Sequence, residues 1–140
     1  MANRQKIYDV ECLLADQTLI AASAAGLVSA AAAVFDTGGG NTEGKLVINV
    51  TAIEVNADED YEFILQGSNT ANMGGGLFGL ARLRIGADSI VTCSADSVVG
   101  NYIIPWNNLQ NGTVYRYIRM YLVVAGTVAT GINYGAWLTK

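Results

Sequence analysis

Apolar and polar positions alternate with a period of two along the strongest segments of the chain. From Thr113 to Val124, TVYRYIRMYLVV, the even positions Val114, Arg116, Ile118, Met120, Leu122 and Val124 are mostly aliphatic. The odd positions Tyr115, Tyr117, Arg119, Tyr121 and Val123 are mostly tyrosine, with one arginine. Successive side chains of a strand point to opposite faces, and Tyr, Val and Ile suit a pleated, half-buried surface. The pattern predicts a central strand whose even face points into a core. Its odd face suits cover by another layer or a partner, although cross-strand packing is explanation enough for any single tyrosine.

The same alternation predicts further strands. Lys6–Leu14 places Tyr8, Val10 and Cys12 inward, and Asp16-Gln17 breaks the pattern. Lys45–Val55 puts Leu46, Ile48, Val50 and Ala52 on one face and Val47, Asn49, Thr51, Ile53 and Val55 on the other. Tyr61–Leu65 follows the acidic turn Asn56–Asp60, and the two segments read as an antiparallel hairpin. Ala81–Ile85, Asp88–Cys93, Val98–Pro105 and Ile132–Leu138 are shorter candidates. Pro105 cannot donate to a ladder, so it ends its strand or lies on an edge. Asn111-Gly112 is a strong turn signal.

The Ala-rich stretch around residues 21–35 is the ambiguous one. Alanine favours helix, but the stretch lacks a broad stripe of large apolar residues to anchor one. Extended structure is expected there, with a short helix from Ser23 as the alternative. Gly38-Gly39-Gly40 bounds it as a loop, and Gly67–Gly79 is a second glycine-rich loop. About eight strands at these intervals, without helices between them, predict a single all-β domain over residues 1–140, an antiparallel sandwich or barrel.

Composition narrows the function classes. Charged residues make up only 14% of the 140, against about 25% in typical domains. A surface so poor in charge points to oligomerisation or docking on a larger body. The net charge of −4, without a basic cluster, argues against nucleic acid as a partner. The absence of histidine excludes the usual Ser-His-Asp and Cys-His nucleophile systems. No segment is long and apolar enough to span a bilayer, and the N-terminus shows no apolar signal core. A chain made and kept in the cytoplasm, or carried out in an assembled particle, is expected.

Candidate chemistry is sparse. Gly74, Gly76 and Gly79 fit G-x-G-x-x-G, but polar residues precede them and a strand follows, so a flexible loop is the better reading. Asp58, Glu59, Asp60 and Glu62 cluster near Glu54, yet the calcium-loop pattern fails: the sixth and twelfth positions from Asp58 are Phe63 and Asn69. A solvated turn is favoured over a loose cation site. Cys12 and Cys93 fit no zinc spacing and read as two buried thiols, with a disulfide left open. Trp106 and Trp137 would suit stacking on a sugar, or a strand end or core rim. Asn49-Val50-Thr51 and Asn111-Gly112-Thr113 match a glycosylation pattern that carries no weight without a secretory signal. No catalytic, metal or cofactor constellation is predicted.

The segments GKLVINVTAIEV (Gly44–Val55), DYEFILQGSN (Asp60–Asn69), YRYIRMYLVVAGT (Tyr115–Thr127) and INYGAWL (Ile132–Leu138), in that order, resemble the capsid cement, or decoration, proteins of tailed phages, in particular the Bordetella phage type. The resemblance covers most of the chain after Gly44. It implies a jelly-roll β-sandwich on the outer face of an icosahedral shell, where dimers bridge neighbouring major capsid subunits. It implies no enzymatic activity and no cofactor.

Three hypotheses follow for function. The first is a structural virion protein whose partners are the major capsid protein and a second copy of itself, without membrane or nucleic acid. The second is a jelly-roll carbohydrate-binding module displayed on a particle surface. The third, a hydrolase using two carboxylates, lacks a partner acid away from the Glu54–Glu62 turn. On stickiness and expected exposure, the contact residues on a capsid are expected at Arg4, Lys6, Met73, Leu77 and Phe78.

Overall fold

A computed structural model describes residues 12–139. The elements are β1 (Leu13–Ile20), β2 (Ala24–Ala25), β3 (Leu27–Val28), β4 (Ala31–Ala32), β5 (Phe35–Asp36), β6 (Glu43–Ile53), β7 (Asp60–Ser68), β8 (Phe78–Gly86), α1 (Asp88–Val91), β9 (Gly100–Asn107), β10 (Leu109–Gln110), β11 (Thr113–Val114), β12 (Tyr117–Ala125) and β13 (Ile132–Thr139). The described residues form an all-β fold with a single α-helical turn. One sheet runs β1-β13-β6-β9 and the second β2-β12-β7-β8, with β5 also lying along β12. Every pairing within them is antiparallel.

The alternation of β12 explains why the sheets face one another. Ile118, Met120 and Leu122 are fully buried. They pack in one cluster with Tyr61, Phe63 and Leu65 of β7 and with Leu46, Ile48, Tyr134 and Leu138 of the opposite sheet. Phe63 meets Tyr134 edge to face across the layers, ring centroids 4.8 Å apart. Burying such a side chain stabilises by roughly 1.5–3 kcal/mol, so this shared interior holds the sandwich together. β12 is flanked by β7 on one side and by β2 and β5 on the other, the central position its pattern predicts.

Several boundaries differ from expectation. The strand expected over Thr113–Val124 is split. Asn111 and Gly112 both take positive φ, 49° and 78°, and close the small hairpin β10–β11. The chain then turns at Tyr115-Arg116, so Arg116 leaves the core-facing set and pairs with Asp36 at the surface. β6 and β7 do not form a hairpin. They lie in different sheets, and the acidic connection crosses between layers. β7 instead pairs with β8 across the Gly67–Gly79 loop. An irregularity in β6 opposite Asn133/Tyr134 shifts the phase after Val50, so Ala52 is exposed and Ile53 turns to the core. Asp16-Gln17 does not end β1 but falls within its irregular pairing with β13. Residues 6–11 of the expected first strand lie outside the described residues. Asp88–Cys93 begins as the helical turn α1, its end closed by Thr92 at φ 58°.

The Ala-rich stretch is extended, as expected. It supplies β2 and β5 to the edge of the second sheet, and between them a small hairpin, β3–β4, loops out. Glycine is required where loops approach closely at one end of the sandwich. Gly126 (φ +88°) and Gly131 (φ +89°) would place a Cβ 2.0 Å from the Asp58 carbonyl oxygen and 2.1 Å from that of Ile20.

Each outer edge is blunted against open-ended sheet growth, by devices that natural edge strands use. β1 is irregular. β9 carries Pro105, on the edge where its missing N–H costs least. β8 presents Arg82 and Arg84. The β2/β5 edge is interrupted.

Candidate interaction surface

The outer face of the second sheet collects the charged and aromatic side chains. The register sets Tyr121 beside Ile64 and Arg82, Arg119 beside Gln66, and Val123 beside Glu62 and Arg84. Ile64 points outward here yet is only 8% exposed. Even spacing between Arg82 and Arg84, among Asp60, Glu62, Ile64 and Gln66, and among Tyr117, Arg119 and Tyr121 puts all of them on this one face.

Two ion pairs run diagonally across β7 and β8. Arg84 donates from Nε and Nη2 to both oxygens of Asp60, at 2.9 and 2.8 Å. Arg82 donates to Glu62 at 2.7 Å. A third, bidentate pair joins Arg116 to Asp36 at the end of the sheet. There the guanidinium and the Gly38 N–H hold the Asp36 carboxyl down at about 2. Arg116 also lies 5.2 Å from the centre of the Tyr117 ring, and Arg119 lies 5.5 Å from that of Tyr121. All four arginines of the described residues therefore stand on this sheet or at its end.

Arg119 differs from the other three. Its Nε donates to the neutral Gln66 Oε1 at 2.8 Å, and no carboxylate among the described residues pairs with it. It is half-buried and flanked by half-buried Tyr117 and Tyr121. Arginine and tyrosine held in place on a rigid sheet are the residue types enriched at the energetic centres of protein interfaces.

The residues expected to contact a capsid are not brought together. Arg4 and Lys6 lie outside the described residues. Met73 is tucked in, 3% exposed, and Phe78 is half-buried against Tyr115, rings stacked 5.4 Å apart. Of the three loop residues only Leu77, at 43%, is open. The loop is pinned rather than loose: Ser68 Oγ donates to the Gly75 carbonyl and Asn69 Oδ1 accepts from the Arg116 N–H. The sequence signal for the arginine-tyrosine face was the two-residue spacing in ARLRI, read together with the odd face of β12.

The acidic turn is occupied internally. Glu54 accepts from the N–H groups of Ala129, Thr130 and Gly131 and from the Thr130 hydroxyl. These bonds, Gly131's foremost, lower its carboxyl below the usual range. Asp58 accepts from Thr127 N–H and hydroxyl. The cluster ties two loops together, and among the described residues no group of three or more His, Cys, Asp or Glu could hold a metal. Gly74, Gly76 and Gly79 sit in the β7–β8 loop and at the start of β8, with no helix behind them. Cys93 is exposed and Cys12 half-buried, and no disulfide joins them. The pair of buried thiols expected from sequence is therefore not found, because Cys93 follows α1 on the surface. Trp106 is 4% exposed, its ring packed in the core. It borders an open hollow of about 330 Å³ with Glu43, Gly44, Lys45 and Pro105.

No protein-family model matches the chain, and no curated protein matches it.

Proposed function

We propose that the chain is a structural protein of a tailed-phage virion. In this reading it is a capsid cement protein that binds the outside of an icosahedral shell and bridges major capsid subunits. The observation that carries the proposal is the arginine-tyrosine face, whose side chains are held by ladder register and ion pairs, on a chain whose acidic turn is engaged in holding loops together. The resemblance of the strand segments to cement proteins supplies the partner. The sheet orders support reading the sandwich as a jelly roll. Numbering the eight principal strands in sequence gives 1-8-3-6 facing 2-7-4-5, the order that two wound Greek keys produce.

The mechanism is mechanical. A copy that touches two neighbouring subunits makes its second contact intramolecularly, which raises avidity without new chemistry. Binding only the mature lattice stabilises that lattice by mass action. Pairing of two copies about a two-fold axis would place the bridge on a two-fold seam. No catalytic step belongs to this function. Of the alternatives, a carbohydrate-binding module loses Trp106 as a stacking platform, since its ring is buried.

The test is co-sedimentation of the purified chain with mature shells of the phage that encodes it. The expected result is saturable binding at a stoichiometry set by shell symmetry, with shells that withstand higher temperature when decorated. A chain that stays in the supernatant at saturating concentration refutes the function.

A further inference from the structure

We infer that Arg119 is the anchor of the docking face, and that the partner surface it meets presents a carboxylate to it. The inference rests on the shell-binding function proposed above and adds the contact residue and the chemistry of its counterpart. It differs from the loop and N-terminal contacts expected from sequence.

The electrostatics of the face single out this residue. Three guanidinium groups are matched by three carboxylates: Arg82 by Glu62, Arg84 by Asp60 and Arg116 by Asp36. Their charges cancel locally, and such exposed pairs add little to affinity. Arg119 leaves one positive charge in the middle of the face, on a chain whose net charge is negative. Its Nε is spent on Gln66, which fixes the plane of the guanidinium. The remaining N–H donors on its two Nη atoms have no partner among the described residues, and that fork fits the two oxygens of a carboxylate.

The surroundings make the position an effective one. Arg119 stands between Tyr117 and Tyr121 on β12, with its guanidinium beside the Tyr121 ring. On its other flank β2 pairs at Tyr121-Leu122, Gly26 N–H donates to the Met120 carbonyl at 2.9 Å and β5 pairs at Tyr117-Ile118, so the backbone edge is covered and the Arg119 side chain lies on the outer face of the sheet. A protruding acidic side chain of a partner therefore reaches half-buried Arg119 over the outer face, without displacing a strand. Docking would shield the pair from water, where a charge-assisted bond is strongest. Nucleic acid is disfavoured as the occupant: a single unpaired cation among three compensated ones is no phosphate track.

The experiment is shell co-sedimentation with the full chain and three variants. Arg119→Gln keeps the size and the amide-like hydrogen bonding but removes the charge, and is expected to weaken binding about tenfold or more. Arg119→Glu is expected to abolish it. Arg82→Gln, which breaks a compensated pair on the same face, is expected to change binding less than about threefold. Wild-type binding should weaken as salt rises, and the Arg119→Gln variant should lose most of that dependence. Thermal melting of the free variants checks the fold, and all three are expected to melt close to the wild type because the positions lie on the outer face.

Binding by Arg119→Gln equal to wild type overturns this assignment and leaves the shell function standing. Equal losses in Arg119→Gln and Arg82→Gln overturn it as well, since the whole charge pattern rather than one anchor would then matter. A change in the free chain's sedimentation coefficient with unchanged shell occupancy would make the counterpart a second copy and would also overturn it. Failure of the wild type to bind shells removes both the function and the anchor.

Discussion

On the outside of the first sheet, amides bond to one another. On the outside of the second, arginines bond to carboxylates. Gln17 of β1 reaches across the first face, donating to Asn133 Oδ1 at 2.7 Å and to Thr51 Oγ1 at 3.0 Å and accepting from Asn49 Nδ2. Beside this network lies a row in register, Leu13, Trp137, Val47 and Ile103, in which Val47 is fully buried. The amides of the first face are matched to one another. The second compensates three of its arginines and leaves Arg119 unmatched. Two layers with a common interior can thus carry different outer chemistry, because alternation separates what holds the fold from what meets other molecules.

The comparison is broken first at the interior. Phe63→Ala removes a fully buried ring that both sheets share, and a loss of about 3–5 kcal/mol is expected by urea denaturation. A loss below 1 kcal/mol would mean that the outer faces carry the stability. The next largest effect is alkaline. Burial pushes the hydroxyls of Tyr61 and Tyr134 up to about 12, with nearby Glu54 and Glu59 adding to the rise at Tyr61. An unfolded tyrosine loses its proton near pH 10, so between pH 10 and 12 the unfolded state is increasingly favoured. Stability should be flat from neutral pH up to pH 10 and fall above it, and Tyr134→Phe should shrink the fall.

At the acid end the sign reverses. Glu54 and Asp36 have lowered carboxyls when folded, so their contribution is complete above the unfolded values of 4.5 and 3.8 and is lost as pH drops. Hydrogen exchange at Ala129–Gly131 should accelerate as pH falls below 4.5, after correction for intrinsic rates. Glu54→Gln should show that acceleration already at neutral pH. The faces themselves give the smallest effects. Gln17→Ala is expected to cost about 1 kcal/mol, and Arg84→Ala less than that, because its ion pair is screened by solvent. A larger loss from Arg84 than from Gln17 would invert the contrast between a self-contained face and a face held for contact.

Local pattern in the sequence determined the strands with strong alternation. KLVINV and YIRMYLVV needed nothing beyond period two to show which residues turn inward, and Asn-Gly needed nothing beyond its own backbone to make a hairpin. The extended Ala-rich stretch was also legible, from its lack of large apolar residues. What the chain leaves unwritten is which strand lies beside which. β6 and β7 are neighbours in sequence and both apolar enough to pair, yet each found its partners elsewhere. Pairing is a competition among all strands for the same backbone donors, won by burying two inner faces together. Arg82 and Arg84 share a face with the distant Arg119 for the same reason that Met73 is hidden in a loop that reads as exposed. Register and layer, set by the whole core, decide which charges meet a carboxylate within the chain and which do not.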